Sequence, residues 1–335
     1  MLLSGLLVLL LAGLFQGSFG LGMKKYQPFS WEAFWALFSI VGMIIAPCIW
    51  TYIEVPQFFH YLKQTPSSIF IPAAICGFFW GVTAIGFGKA IDYIGMSLTY
   101  GIAMGVSAAV GSLFPLITGK TLPASNFMIG LFIGIVVMLS GVAILTKAGI
   151  LKDKESSRED KGKNPKFQLG LILAFVAGLG SAAQNIGFNY AGYTSQMAIK
   201  DGVGGTQASL LGWLLVFTGG FIANFGYALY LLIKNRNFGN YVEKGCGTGY
   251  FKVIITGLMW FAALGVYGKA TFLLGEYGTV VGWIGFQALA LVISNFWGIK
   301  DGEWTGHEKP KKVMLVGNIV LIISWIIIGI TNGML

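Results

Sequence analysis

Amide and aromatic side chains recur inside stretches that are otherwise apolar, and these are the residues with chemistry to offer. They are Gln16, Trp80, Tyr100, Gln184, Asn185, Asn189, Asn224, Tyr227, Trp260, Tyr267, Trp283, Gln287 and Asn295. An unpartnered polar group in hydrocarbon costs several kcal/mol, so each must face a partner or water. Amides combine two donors with acceptor lone pairs that match hydroxyl groups, and aromatic faces match the C–H face of a sugar ring. The set suits a neutral, polyhydroxylated ligand. Helix–helix hydrogen bonding and an interfacial aromatic belt are the competing roles for any single member. Gln184, Asn185 and Asn189 stand apart, because they crowd a short length of one helix and adjacent Gln184 and Asn185 cannot face the same neighbour.

Titratable residues are scarce where a membrane-embedded proton site would need them. No acid lies in the middle of an apolar stretch; Glu32, Glu54, Asp92 and Glu276 all fall at ends. Glu276 is the first candidate for proton coupling and Asp92 the second, against the plain reading of boundary charges. Lys89 and Lys269 are gate candidates, with Asp92 placed as the i,i+3 partner of Lys89; ordinary snorkelling lysines are the alternative. His60 and His307 lie in loops, and Cys48, Cys76 and Cys246 lack metal or redox spacing, so no cofactor or metal is expected.

The elements that must position these residues are membrane helices. With 56% hydrophobic and 10% charged residues, the chain carries far too little charge for a soluble domain. A net charge of +9 could suggest nucleic acid, but the basic residues sit in short loops between apolar runs, so the partner implied is the lipid bilayer. Ten stretches are long enough to cross it: 2–21, 34–53, 69–88, 96–116, 126–145, 169–188, 208–233, 251–268, 279–299 and 313–330. The first is expected to be a retained helix, because no basic region precedes it. The eighth is the weakest, since only 16 uncharged residues separate Lys252 from Lys269; either both lysines snorkel or one faces a wet cavity. Of the 22 basic residues, 18 fall in loops on one side of this arrangement, which makes that side cytoplasmic and places both termini outside.

The chain is duplicated. Residues 80–99 recur at an offset of 180 as residues 260–279, pairing Trp80 with Trp260, Gly88-Lys89-Ala90 with Gly268-Lys269-Ala270, Gly95 with Gly275 and Thr99 with Thr279. Ala12, Gly13 and Gly22 meet Ala177, Gly178 and Gly187 at an offset of 165, and the extra residues are expected around 200–206. Residues 1–146 and 169–335 therefore read as two five-helix repeats joined by a charged cytoplasmic linker, 147–168. Five is odd, so the second repeat crosses in the opposite sense. Inverted repeats are the usual design of secondary transporters that work by alternating access.

Ser30-Trp31-Glu32, Phe79-Trp80-Gly81, Tyr93-Ile94-Gly95-Met96-Ser97 and Gly257-Leu258-Met259-Trp260 resemble marks of the L-rhamnose/proton symporter family, a branch of the drug/metabolite transporter superfamily. The likeness covers essentially the whole chain and is poorer over 271–297. It implies an all-α protein of ten helices in two inverted halves, a central sugar cavity, and proton-driven uptake of L-rhamnose across a bacterial inner membrane. The alternatives are a transporter of another sugar or metabolite, or an exporter; a membrane-embedded enzyme, against which the absence of H-E-x-x-H, G-x-S-x-G and intramembrane acid pairs counts; and a non-transporting sensor.

Overall fold

The computed structural model describes residues 2–118, 123–156 and 166–333, and among these the ordered structure is helical. Ten helices are long and apolar enough to cross a membrane. They are α1 Leu2–Met23, α2 Trp31–Glu54, α3 Ser67–Ile94, α4 Met96–Thr118, α5 Ser125–Ser156, α6 Phe167–Lys200, α7 Gly205–Asn235, α8 Cys246–Leu273, α9 Gly278–Lys300 and α10 Glu308–Asn332. Most run a turn or more beyond the apolar windows, because charged residues at a helix end reach outward instead of ending it.

Two expectations need correcting. Residues 147–156, read as linker, continue α5; the rest of that linker at 157–165, and Lys120, lie outside the described residues. The extra residues of the second half do not form a loop at 200–206. They lengthen α6, which runs on to Lys200 where α1 ends at Met23.

Each helix packs where small residues allow it, since lipid offers no hydrophobic gain for helix association and close van der Waals contact must supply it. Glycines mark the crossings, and the crossings come in pairs. A methyl group at Gly22 would strike Thr256 of α8, and one at Gly187 would strike Cys76 of α3. Gly42 of α2 lies against Gly257 and Trp260, as Gly220 of α7 lies against Gly77 and Trp80. The helix pairings follow the same rule: α3 packs on α6 as α8 does on α1, α4 on α6 as α9 on α1, and α4 on α5 as α9 on α10. The largest departure is between chain neighbours. The neighbours α6 and α7 pack together, whereas α1 and α2 barely touch.

The helix ends are equally paired. Gly95 and Gly275 stop α3 and α8 at φ +83° and +87°, a backbone region that side chains avoid. In α2 the helix loosens into a π-turn at Val41–Ile45. Pro47, which follows, has no N–H to return to the carbonyl of Met43, and the wider turn absorbs the lost bond.

At one end of the bundle the basic loops converge. Lys24 donates to Asp301 at 2.7 Å and to Glu303 at 3.0 Å, and these two carboxylates raise its pKa. His307 meets Glu155 at 2.9 Å, and Lys152 lies over the Trp304 ring. The ends of α1, α5 and α9 are thus gathered on a single side.

Candidate transport site

The two repeat-related tryptophans meet. Trp80 and Trp260 stack with ring centroids 5.6 Å apart and planes 11° from parallel. Each also presses on the glycine of a crossing helix, Trp80 on Gly220 and Trp260 on Gly42. From Trp260 an aromatic ladder continues through Phe217 (5.2 Å), Trp213 (5.6 Å) and Phe188 (4.3 Å). On the opposite flank Phe38 packs edge-on against Trp260, and Trp35 donates its indole N–H to Asn224 at 3.0 Å. The two rings are near-parallel and bring α3 and α8 together at this point.

A second cluster is polar and largely buried. Tyr267 donates its hydroxyl to Oδ1 of Asn185 at 2.6 Å, while the Asn185 amide donates to the carbonyls of Gly111 (3.0 Å) and Thr279 (3.1 Å). Beside it Trp283 donates to the Ser107 carbonyl at 3.1 Å, and Gln287 donates to the hydroxyl of Ser107 at 2.9 Å. Ser107 in turn donates to Ser181 at 2.8 Å. Ser107 and Gln287 are a second pair at offset 180 that meets in space. The network ties α4, α6, α8 and α9 together, and with its members bonded to one another it serves as interhelical glue in this conformation.

Gln184 is different. It is 5% exposed and its side-chain nitrogen has no partner. On α6 it lies between Gly180 and Gly187, which meet α3, and Ser181, which meets Gln287 of α9. It therefore points into the bundle interior with a donor unspent, and Asn185 faces elsewhere, as their adjacency requires.

The other candidates are dispersed. Tyr100 is 39% exposed and packs edge-on against Phe87. Asn189 is exposed; Gln16 keeps a buried, unbonded oxygen on α1. Tyr227 lies edge-on to Trp31, and Asn295 donates to Asn318 of α10 at 2.8 Å. Asp92 and Glu276 are both exposed, the latter in the turn before α9. Lys89 is exposed and forms no ion pair with Asp92 among the described residues, contrary to the i,i+3 expectation. The Lys269 ammonium bonds Glu54 at the end of α2 and lies 5.4 Å from the centre of the Trp50 ring.

Sequence reasoning missed Ser107, Ser181, Trp213 and the Glu54–Trp50 pair. For the last, the signal was an acid one turn beyond a tryptophan at a helix end. A cleft of about 790 Å³ opens between α4, α5 and α6, with Gly101, Gly105, Leu139 and Thr146 in its walls; none of the candidate residues lines it.

Ten packed helices, each long and apolar enough to cross a membrane, define a multi-pass membrane protein. The L-rhamnose-proton symport protein family matches residues 2–334, and the chain belongs to that family, which is one of symport proteins and not of enzymes. Its bacterial relatives include L-rhamnose-proton symporters of Mannheimia succiniciproducens, 29% identical over 92% of this chain and 92% of that one, and of Cronobacter sakazakii, 26% identical over 92% and 91%. One from Escherichia coli (strain 55989 / EAEC) is 28% identical over 92% and 91%. A crystal structure of a protein 12% identical to this chain shares its fold, covering 97% of this chain and 96% of its own with a TM-score of 0.60.

Proposed function

We propose that this chain is a secondary active transporter that takes up L-rhamnose with protons across the bacterial inner membrane. Two five-helix halves, 1–146 and 169–335, are related by an axis in the membrane plane and work by alternating access. The observation that carries this reading is the stacking of Trp80 on Trp260, because residues at equivalent places in two halves touch only next to the axis that relates them. The Ser107–Gln287 contact and the paired glycine crossings support the same axis.

The sugar site is formed around Trp80, Trp260 and Gln184. Aromatic faces receive the apolar side of the ring, and the free amide of Gln184 receives a hydroxyl or the ring oxygen. Asn185, Tyr267, Trp283 and Gln287 hold the walls and exchange partners as the halves move. Lys269 belongs to a gate at one end, and Lys89 marks the equivalent place at the other. The end bearing Lys24, Asp301 and Glu303 faces the cytoplasm by its excess of basic residues, so both termini are outside.

Counterflow in proteoliposomes tests the function. Labelled L-rhamnose is expected to exchange into vesicles loaded with unlabelled sugar, and its accumulation to vanish when the proton gradient is collapsed. Absence of exchange, or accumulation indifferent to the gradient, would overturn the reading.

A further inference from the structure

A proton symporter needs a carboxylate or equivalent group that alternates between a proton and another partner, and the acids at the expected places do not supply one. Asp92 and Glu276 stand in the open. Glu32 is 6% exposed, but the amides of Asn235 and Asn237 hold it from the loop end of α7, with no cation beside it. The ion pairs of Lys24 and His307 tie loops together outside the bundle.

Glu54, at the end of α2, is an acid whose carboxylate pairs with a cation on a helix of the other half. One oxygen accepts from the Lys269 ammonium and the other from the indole N–H of Trp50. The two charged side chains are 20% and 21% exposed, so the pair is largely withdrawn from water while still reachable by it. Removing the cation from such a carboxylate leaves a poorly solvated charge, which a proton neutralises at least cost. Among the titratable groups near this end of α2, His60 and Lys63 of the following helix Phe58–Gln64 are exposed, Tyr61 of that helix bonds Asp201, and Cys48 of α2 is half-buried. From α8 comes Lys269; the short helix Gly205–Ala208 carries no titratable side chain, and Tyr227, Tyr230 and Lys234 of α7 lie at its far end. Tyr267 of α8 is turned to Asn185, and on α2 itself Tyr52 is exposed.

We propose that Glu54 is the proton-binding group of the transport cycle and that Lys269 is the internal cation that displaces the proton. The inference rests on the symport reading above. In the structure the pair is made, tying the end of α2 to α8. Opening that end separates α8 from α2, the carboxylate loses Lys269, and one proton from the adjoining water adds to a carboxylate oxygen. Closure brings the ammonium back, the O–H bond breaks, and that proton leaves to water on the side then open. The only charge carried per cycle is the one proton.

The test is Glu54→Gln in proteoliposomes, read in two assays against the parent protein. With no gradient, labelled L-rhamnose is expected to exchange through the parent and, at a rate altered by loss of the gate pair, through Glu54→Gln. Under an inward gradient of one pH unit, the parent should accumulate sugar about tenfold for one proton per sugar, since one unit is worth ~1.4 kcal/mol. Glu54→Gln should reach a ratio of about one, with uptake that no longer rises as the external pH falls. Accumulation by Glu54→Gln equal to that of the parent would overturn the assignment. Failure of the parent itself to exchange L-rhamnose would instead overturn the choice of sugar; in that case the infrared band of a protonated carboxyl, appearing on acidification of the parent and missing from Glu54→Gln, supports the site, and an identical band in both refutes it. If Glu54→Gln does not fold, as judged by a broadened elution profile, Glu54→Asp is expected to accumulate sugar with a displaced pH profile, and an unmoved profile counts against the proposal.

Discussion

The C-terminal halves of α3 and α8 share a sequence pattern and have opposite surroundings. After Trp260, α8 is walled in: Phe261, Leu264, Tyr267, Ala270 and Thr271 are all buried, and Gly268 sits under Trp213 and Phe188. After Trp80, α3 emerges: Val82 and Lys89 are exposed, and Gly88 has nothing within 4 Å of where a side chain would begin. Lys269 is bound to Glu54, whereas Lys89 has no such partner among the described residues. The Gly-Lys of the same motif is therefore enclosed in α8 and exposed in α3. If the two halves work by alternating access, as proposed above, such a difference between the copies is what an asymmetric conformation requires.

The largest effect comes from locking that difference. With Cys48, Cys76 and Cys246 replaced, Glu54→Cys and Lys269→Cys joined by a bifunctional thiol reagent should reduce transport to background, because the closed end can no longer open. Full transport after verified cross-linking would remove Lys269 from the gate.

Next in size are the tryptophans at the meeting point. Trp260→Ala should cost roughly 3–5 kcal/mol of stability, as a buried aromatic does; Trp80→Ala should cost less, because Trp80 is only partly buried. Both should lower L-rhamnose exchange about tenfold or more by losing an aromatic face, a change worth ~1.4 kcal/mol or more. Unequal exchange defects, with one variant unimpaired, would sharpen the comparison by showing that the site belongs to one half.

Smaller effects separate the glycines. Gly268→Leu should destabilise by about 1–3 kcal/mol through overpacking, while Gly88→Ala should stabilise by up to ~1 kcal/mol, since it trades helix-interior glycine for alanine in open space. Melting of the purified variants checks both. Smallest of all, Asn295→Ala should cost about 0.6 kcal/mol and leave exchange untouched, as expected for a single interhelical hydrogen bond; a transport defect there would place α9 and α10 in the moving part.

What could be read in the chain and what could not follow from the same duplication. Trp80, Trp260, Gly95 and Gly275 were visible because each has a counterpart 180 residues away, and a repeated local pattern needs no knowledge of packing. Glu54 was not, because its partner Lys269 lies 215 residues away and no local spacing connects them. Tyr100 was grouped with the interior because α4 is apolar around its circumference, which leaves periodicity unable to tell lipid from core. Ser107 and Ser181 escaped because small hydroxyls in an apolar run look like packing residues until a Gln and a Trp are brought onto them. Helix ends were placed short wherever a lysine intervened, since a charge at the boundary marks the edge of hydrocarbon and not the end of the helix.

Thiol accessibility at the two lysine positions tests the central claim most directly. Single Lys89→Cys and Lys269→Cys variants in oriented vesicles are labelled from either side with a membrane-impermeant reagent. Labelling of each from opposite sides, with one protected and the other exposed on adding L-rhamnose and acid, is the predicted result. Labelling of both from the same side, or together and in step, would contradict it.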